Sequence, residues 1–535
     1  MSPTRPNILL IVTDQQRADH LGCAGHPLLR TPHIDSLARA GVLASRFHAA
    51  STTCMSNRAT LMTGRLPSLH GVVHNGVNLS REHTTFVELL RAAGYATALI
   101  GKSHLQAFGY DGPLRRRWQN ENGGAEPPEA LRDARQRPRA GSGYGNEWTP
   151  DWRSGTRHAV ETPYYGFDHV ELATLHGDQV HGDYARWLAE RHPEPDSLRG
   201  REHAIPDSRY SAPQAWRTRL PEALYPSTYV GERGVAWLAD HAQNAPEQPF
   251  FLKVSFPDPH HPFTPPGRFW DMYDPDDVRL PASYGHSGDS ALLADVHRFT
   301  REGGSREGYG AFGVSERELR EIHALTYGMV SLIDEQVGRL LATLRETGQD
   351  QNTVVIFTSD HGDMMGDHGV VLKGAMHFDG ITRVPFIWRD PAATAAQQGQ
   401  RLDMPASTLD IAQTVLARCG LAPYNGIQGL NLLPWLSDTS LSDAPRPGVL
   451  VESEPVVLPP GRSRRYRLRS LITRGWRLTV SNQPELCELY DLASDPLEQH
   501  NRWADAVAVR GELSAQLLME LSELGDTSPL PAAVA

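Results

Sequence analysis

Four short apolar runs in this chain stop abruptly at titratable residues, and that pattern limits the fold more than any other feature. Residues 7–13 close on Asp14, and residues 95–100 close on Gly101-Lys102-Ser103-His104. Residues 249–256 close on Pro257-Asp258-Pro259-His260-His261, and residues 353–358 on Ser359-Asp360-His361. Apolar runs this short read as buried strands. Helical patterns lie between them at residues 31–41, 56–64, 84–93 and 315–347, the last with Leu319, Ile322, Leu325, Met329, Leu332, Ile333 and Val337 on one side. Strands alternating with helices predict an α/β fold, a mostly parallel central sheet sandwiched by helices. Ligands gather at the carboxyl ends of strands in such a sheet, so the titratable closures are expected to share one rim.

The chain of 535 residues is long enough for one large domain and a smaller one. We place the larger at residues 1–440 and a C-terminal α+β subdomain at 441–535, with a hairpin of residues 468–473 and 476–480 turning at Arg474-Gly475. Residues 106–230 are rich in Gly, Pro, Arg, Trp and His with weak periodicity. They read as a long excursion from the core that either shapes a substrate pocket or elaborates the surface. Its Trp118, Trp148, Trp152, Tyr164 and Tyr165 suit either stacking on an aryl, sugar or quaternary ammonium group or plain core packing. A net charge of −11 argues against a nucleic-acid partner. No run reaches membrane-spanning length, and four scattered cysteines make no disulfide framework, which predicts a cytoplasmic protein.

The closures carry recognisable chemistry. Asp14, Asp360 and His361 offer oxygens and one nitrogen to a divalent cation, although a lone aspartate at a strand end is more readily an Asx turn. Lys102 and His104 can face an anion from one strand end. His260, braced by prolines, suits a general acid. Lys373 adds a cation, and Asp367-His368-Gly369 reads as a loop-structuring element. Cys54, one of only four cysteines, precedes Arg58 by four residues at a helix start, which supplies a nucleophile beside a cation. Any one of these signals is modest, but their convergence on one rim is what an active site on a doubly wound sheet requires.

The stretch Cys54-Met55-Ser56-Asn57-Arg58, followed by Thr63-Gly64-Arg65, resembles the signature of the type I sulfatase family. That family belongs to the alkaline phosphatase-like superfamily. The resemblance extends through Gly101-Lys102-Ser103-His104, Pro259-His260-x-Pro262, Ser359-Asp360-His361-Gly362, Lys373, Arg383-Val384-Pro385 and the closing Leu489-Tyr490-Asp491-Leu492 with Asp495-Pro496 and Glu498. It implies that Cys54 is oxidised to formylglycine by a maturation enzyme. It further implies that Asp14, Asp360, His361 and the modified Cys54 hold one divalent cation, Ca²⁺ ahead of Mn²⁺ or Mg²⁺. By the same resemblance Arg58 steadies the aldehyde hydrate, Lys102 and His104 act near it, Lys373 binds anionic oxygens, and His260 protonates the leaving group. Asp-Gln at the first strand and Asp-His at the later one resemble the choline sulfatase and phosphonate monoester hydrolase branch. This leaves Gln15 outside the metal set, marks Asn75 as a substrate-side residue and implies a homodimer or homotetramer.

The expected activity is hydrolysis of a small anionic sulfate ester. Cleavage of phosphonate monoesters or phosphodiesters on the same scaffold is the alternative. A non-catalytic protein of this fold would show erosion of the reactive set, and no member of it is missing. His176 is a further candidate for lining the pocket.

Overall fold

A computed structural model of the chain describes residues 5–109, 128–131, 137–441, 444–455, 462 and 464–523. Trp118 lies outside the described residues. The central strands are β1 (Asn7–Thr13), β2 (Val42–Ala44), β3 (Ala96–Gly101), β4 (His169–Thr174), β5 (His181–Gly182), β6 (Phe250–Ser255), β7 (Thr353–Ser359), β8 (Phe386–Arg389) and β9 (Gln400–Leu402). Among the described residues they form one sheet in the order β9-β2-β8-β7-β1-β6-β3-β4-β5. β1 lies parallel to β6 and β7, and β3 lies parallel to β6 and β4. The antiparallel β8 sits between β7 and β2.

The period of two along β1 explains the layering. Leu9 and Ile11 join one apolar cluster with helices α1 (Pro32–Arg39), α4 (Pro226–Asn244) and α5 (Glu316–Glu346). Ile8, Leu10 and Val12 join another with α2 (Cys54–Thr63), α3 (Phe86–Ala92) and α6 (Ile411–Arg418). β1 therefore has no polar face, as its sequence implies. Thr85 and Glu88 form a reciprocal capping box at α3. Thr31, which precedes α1, gives its hydroxyl to Asp35. The carboxylate of Asp334 on α5 accepts from His33 N and Ile34 N and completes that helix start.

A second, antiparallel sheet of β10 (Gly448–Ser453), β11 (Leu468–Thr473), β12 (Trp476–Ser481) and β13 (Glu488–Asp491) packs with α7 (Val507–Glu523). Its Leu450, Leu471, Leu478 and Leu489 share an apolar cluster with Ala50, Leu66 and Leu409 of the larger part. Among the described residues no helix is long and apolar enough to cross a membrane.

One expectation is corrected. Residues 106–230 do not simply leave the core, because β4 and β5 complete one edge of the central sheet. β4 runs from exposed His169 through half-buried Val170 and Glu171 to buried Leu172, Ala173 and Thr174. The short edge strand β5 covers only Ala173 and Thr174 of β4, so the first half of β4 is left partly exposed, carries no uniform period and gives a diluted signal.

Candidate active site

The four strand ends do meet. Asp14 follows β1, Lys102 follows β3, Asp258 follows β6, and Asp360 and His361 follow β7. All five are buried. Gln15 N donates to Asp360 Oδ1 at 3.1 Å and Asp360 N to Thr13 O at 3.1 Å, locking the first and last closures together. α2 enters between them. Every residue of this helix is buried, Arg58 included. It begins at Cys54, two residues earlier than its sequence pattern suggests. Met55 N donates to Asn75 Oδ1 at 3.0 Å, so Asn75 holds the first turn beside Cys54. Asn57 donates to the Asp360 carbonyl and accepts from Ala50 N and the Thr408 hydroxyl, pinning the helix to the β7 closure.

A spacing of four puts Cys54 and Arg58 on one helical face. Arg58 Nε donates to Asp360 Oδ2 at 2.7 Å, and Nη1 donates to Lys102 O at 3.0 Å and Ser255 Oγ at 2.9 Å. Its Nη2 lies 3.6 Å from Asp14 Oδ2. Cys54 Sγ is 3.1 Å from both His361 Nε2 and Lys373 Nζ. Lys373 Nζ also donates to Gln15 Oε1 at 2.7 Å and His361 Nε2 at 2.7 Å. On the opposite side Lys102 Nζ donates to Asp14 Oδ2, and to His176 Nε2 at 2.6 Å. His176 stacks on His260 at 3.7 Å, which in turn stacks on His261 at 4.0 Å. Position 54 is thus bracketed by two lysines, an arginine, two aspartates and a histidine.

The electrostatics follow from that crowding. Burial raises the Cys54 thiol, yet Lys373 and His361 outweigh it and bring the pKa down to about 7. Burial likewise works against the Asp14 carboxylate, and Lys102, His260 and Arg58 hold it well below the usual range. His176 is pushed down to about 3 by burial and by Lys102, consistent with its Nε2 accepting from that ammonium. His361 donates Nδ1–H to Gly362 O at 2.9 Å, which turns the Nε2 lone pair toward the centre.

Among the described residues Asp14 Oδ1 is buried without a hydrogen-bond partner, and it lies 3.5 Å from His361 Nε2. Asp14, Cys54, Asp360 and His361 each offer one ligand atom, all within 4.8 Å of one another. Two carboxylates and an imidazole around an orphaned oxygen fit a divalent cation.

His104 and Asn75 sit at the margin of this cluster. His104 stacks on Phe108 at 3.8 Å, and burial together with the nearby charges of Lys102 and Arg58 pushes its imidazole well below the usual value. Asp367 accepts from Arg17 and Ser283, in keeping with a loop-structuring role. Several contributors escaped the sequence pattern. Gln15 bridges Lys373 and Asp363, Asn57 and Ser255 fix the arginine helix, and His261 lies behind His260. Only their adjacency to Asp14, Arg58, the β6 closure and His260 marks them in the sequence.

Beyond His176 and His261 opens a pocket of about 370 Å³ whose walls include Arg153, Gln179, Gln214, Trp216, Glu307 and Tyr309. Of the aromatic residues marked in the sequence, Tyr164 and Tyr165 are buried, and Trp148 packs over Gly109. Trp216 and Tyr309 take the pocket positions instead.

The sulfatase family profile matches residues 6–421 of the chain. An arylsulfatase of Clostridium perfringens is 30% identical over 434 residues, covering 80% of this chain and 78% of that protein. A choline-sulfatase of Rhizobium meliloti is 27% identical, covering 94% and 83%. The crystal structure of a phosphonate monoester hydrolase of Agrobacterium radiobacter superposes with a TM-score of 0.74 at 27% identity, over 97% and 96% of the two chains.

Proposed function

The chain belongs to the sulfatase family, and from that premise we propose that it hydrolyses sulfate esters with a formylglycine made from Cys54 and one divalent cation. The observation that carries this reading is position 54, buried at a helix start between Lys373 and His361 and facing the Asp14–Lys102–Arg58 cluster. Asp14, Asp360, His361 and residue 54 would hold the cation, Ca²⁺ ahead of Mn²⁺ or Mg²⁺ for a set rich in oxygen. When bound there, the cation would supply Lewis-acid chemistry, favouring the deprotonated form of a hydrate hydroxyl on residue 54 as the attacking oxygen.

The chain's own residues do the rest. Arg58 fixes both aspartates and, through Lys102 O, the β3 closure. Lys102 and Lys373 approach from opposite sides and stabilise charge on the non-bridging oxygens of the ester as it breaks. His260 protonates the leaving oxygen from Nε2. Its Nδ1 is tied to His261 O at 2.6 Å, so Nε2 carries a proton only in the imidazolium form. Burial and His176 push that form's pKa down, and the negative charge of a bound ester restores it. Asn75 stands beside the first turn of α2, on the substrate side. The free thiols at Cys23, Cys54, Cys419 and Cys487 fit a reducing cytoplasm, where a formylglycine-generating enzyme would act on Cys54. A homodimer or homotetramer is part of the same proposal.

The superposition on the phosphonate monoester hydrolase favours a second reading, hydrolysis of phosphonate monoesters or phosphodiesters by the same residues. The deciding experiment is kcat/KM for an aryl sulfate against an aryl phosphonate monoester, using matured enzyme with Cys54→Ala as control. A ratio favouring sulfate by orders of magnitude is expected. A ratio favouring phosphonate replaces the first reading with the second.

A further inference from the structure

The turn after β3 delivers Lys102 and His104, yet it is irregular backbone with little support from the sheet. Lys102 N still donates to Ser255 O at 2.8 Å, continuing the ladder by one residue. Beyond it the chain turns sharply, with Gly101 at φ +102° and His104 at φ +58°, a region a histidine seldom adopts. The amides of His104, Leu105 and Gln106 point the same way and have no backbone carbonyl partner among the described residues.

One side chain receives all three. Glu147, itself fully buried, accepts His104 N at 2.6 Å on Oε2, and Leu105 N and Gln106 N at 2.9 Å each on Oε1. The Tyr164 hydroxyl donates to Oε1 at 2.6 Å. The contact is reciprocal, because Gln106 Oε1 accepts from Asn146 N at 2.9 Å and Gln106 Nε2 donates to Gly143 O at 2.8 Å. Thr149 N closes the far end on Phe108 O at 2.6 Å. Successive amides converging on one point make an anion-binding nest, here filled by the chain's own carboxylate. Lys253, two residues before Ser255 on β6, is buried close to both Glu147 and Arg58: burial and Arg58 push its ammonium down to about 7, and Glu147 acts the other way.

We propose that Glu147 is a positioning residue for the hydrolytic reaction, its carboxylate fixing the turn that holds His104 against Phe108 beside Lys102. This rests on the hydrolase reading above. Nothing in the local sequence Gly145-Asn146-Glu147-Trp148 marks the residue. Its role comes from contacts made 41 to 43 residues away in the chain.

Glu147→Gln tests it selectively. The amide oxygen can still accept Leu105 N, Gln106 N and Tyr164, but its NH₂ must face the His104 N–H. Two readouts are needed, hydrogen–deuterium exchange of peptides covering residues 103–108 and kcat/KM in the wild-type and His104→Ala backgrounds. The expected result is faster exchange confined to that turn and a loss in kcat/KM of about tenfold to a hundredfold, the scale of a small misplacement of catalytic groups. In His104→Ala the same substitution should cost less than about threefold, since both changes act through one turn. Unchanged exchange, or losses that multiply in the double variant, overturns the proposal. Should E147Q fail to fold, Glu147→Asp keeps the charge while withdrawing it by one methylene, and the same two readouts apply. A wild-type enzyme inert on both esters, with exchange still raised by E147Q, would sink the hydrolase reading and leave the clamp standing.

Discussion

Arg58 is buried completely between two carboxylates, and that makes it a structural as well as a chemical element of the site. Its guanidinium is the direct partner of Asp360 and lies 3.6 Å from Asp14. Removing one member of a buried ionic group leaves the others uncompensated, at a cost of about 3–5 kcal/mol. Arg58→Ala is therefore expected to lower the thermal midpoint by several degrees. Added Ca²⁺ should recover part of the loss by binding the bared carboxylates. Calorimetry with and without the ion checks this, and an unchanged midpoint would mean that the aspartates are neutralised in some other way. The sequence exposes Arg58 because it lies one helical turn from Cys54. It hides Gln15 and Asn57, whose partners stand hundreds of residues away and whose amide side chains carry no chemical label of their own.

At the scale of elements, what was legible is what has a clean period or a sharp stop. β1, β3, β6, β7 and the long α5 all sit within a residue or two of where the apolar pattern puts them. β4 escaped because the two-residue β5 at the sheet edge covers only its second half and leaves the first half partly exposed. The sharp stops matter as much as the runs. Gly101 ends β3 at φ +102°, and a Cβ there would sit 2.0 Å from Ser255 O, whose hydroxyl holds Arg58. Gly101→Ala thus meets both a left-handed backbone and a clash with a neighbouring strand. The conformational term alone is about 1–2 kcal/mol. We expect a lowered midpoint together with a loss of turnover larger than the stability change explains, because Lys102 is the next residue. Turnover near wild type at a temperature where the variant is folded would show that the β3 closure tolerates displacement.

For the molecule as a whole, the sequence conveys a rim of titratable residues on a parallel sheet but not the strand order, which depends on long crossovers that leave no local trace. It also gives no view of how many histidines the fold keeps dry. Burial drives His48, His83 and His323 down to about 4 and His181 to about 3, and it pushes His20, His70 and His377 well below their usual value. These rings are neutral when folded and protonated when unfolded below pH 6.5, so unfolding takes up protons there. Each such proton removes about 1.4 kcal/mol of stability per pH unit. Asp19 and Asp379, for which burial is outweighed by Arg17 and Arg383 respectively, are held low and act with the same sign. Asp258, Asp334 and Glu498 oppose them. Burial raises each to about 7, so the folded state keeps protons that the unfolded state releases between roughly pH 4 and 7, and their contribution is lost as pH rises through 7. Burial raises Glu147, Asp178, Asp183, Asp363 and Glu520 as well, but it also lowers His26, His104, His176, His241, His260, His261, His297 and His368, so the histidines outnumber the carboxylates and net stability should fall as pH drops below 6.5. Calorimetry in EDTA, which removes the pH dependence of metal binding, should give a thermal midpoint that declines steadily from pH 7 to pH 5. A midpoint that holds or climbs over that range would mean that the carboxylates govern the balance and that water reaches more of these rings than their burial implies.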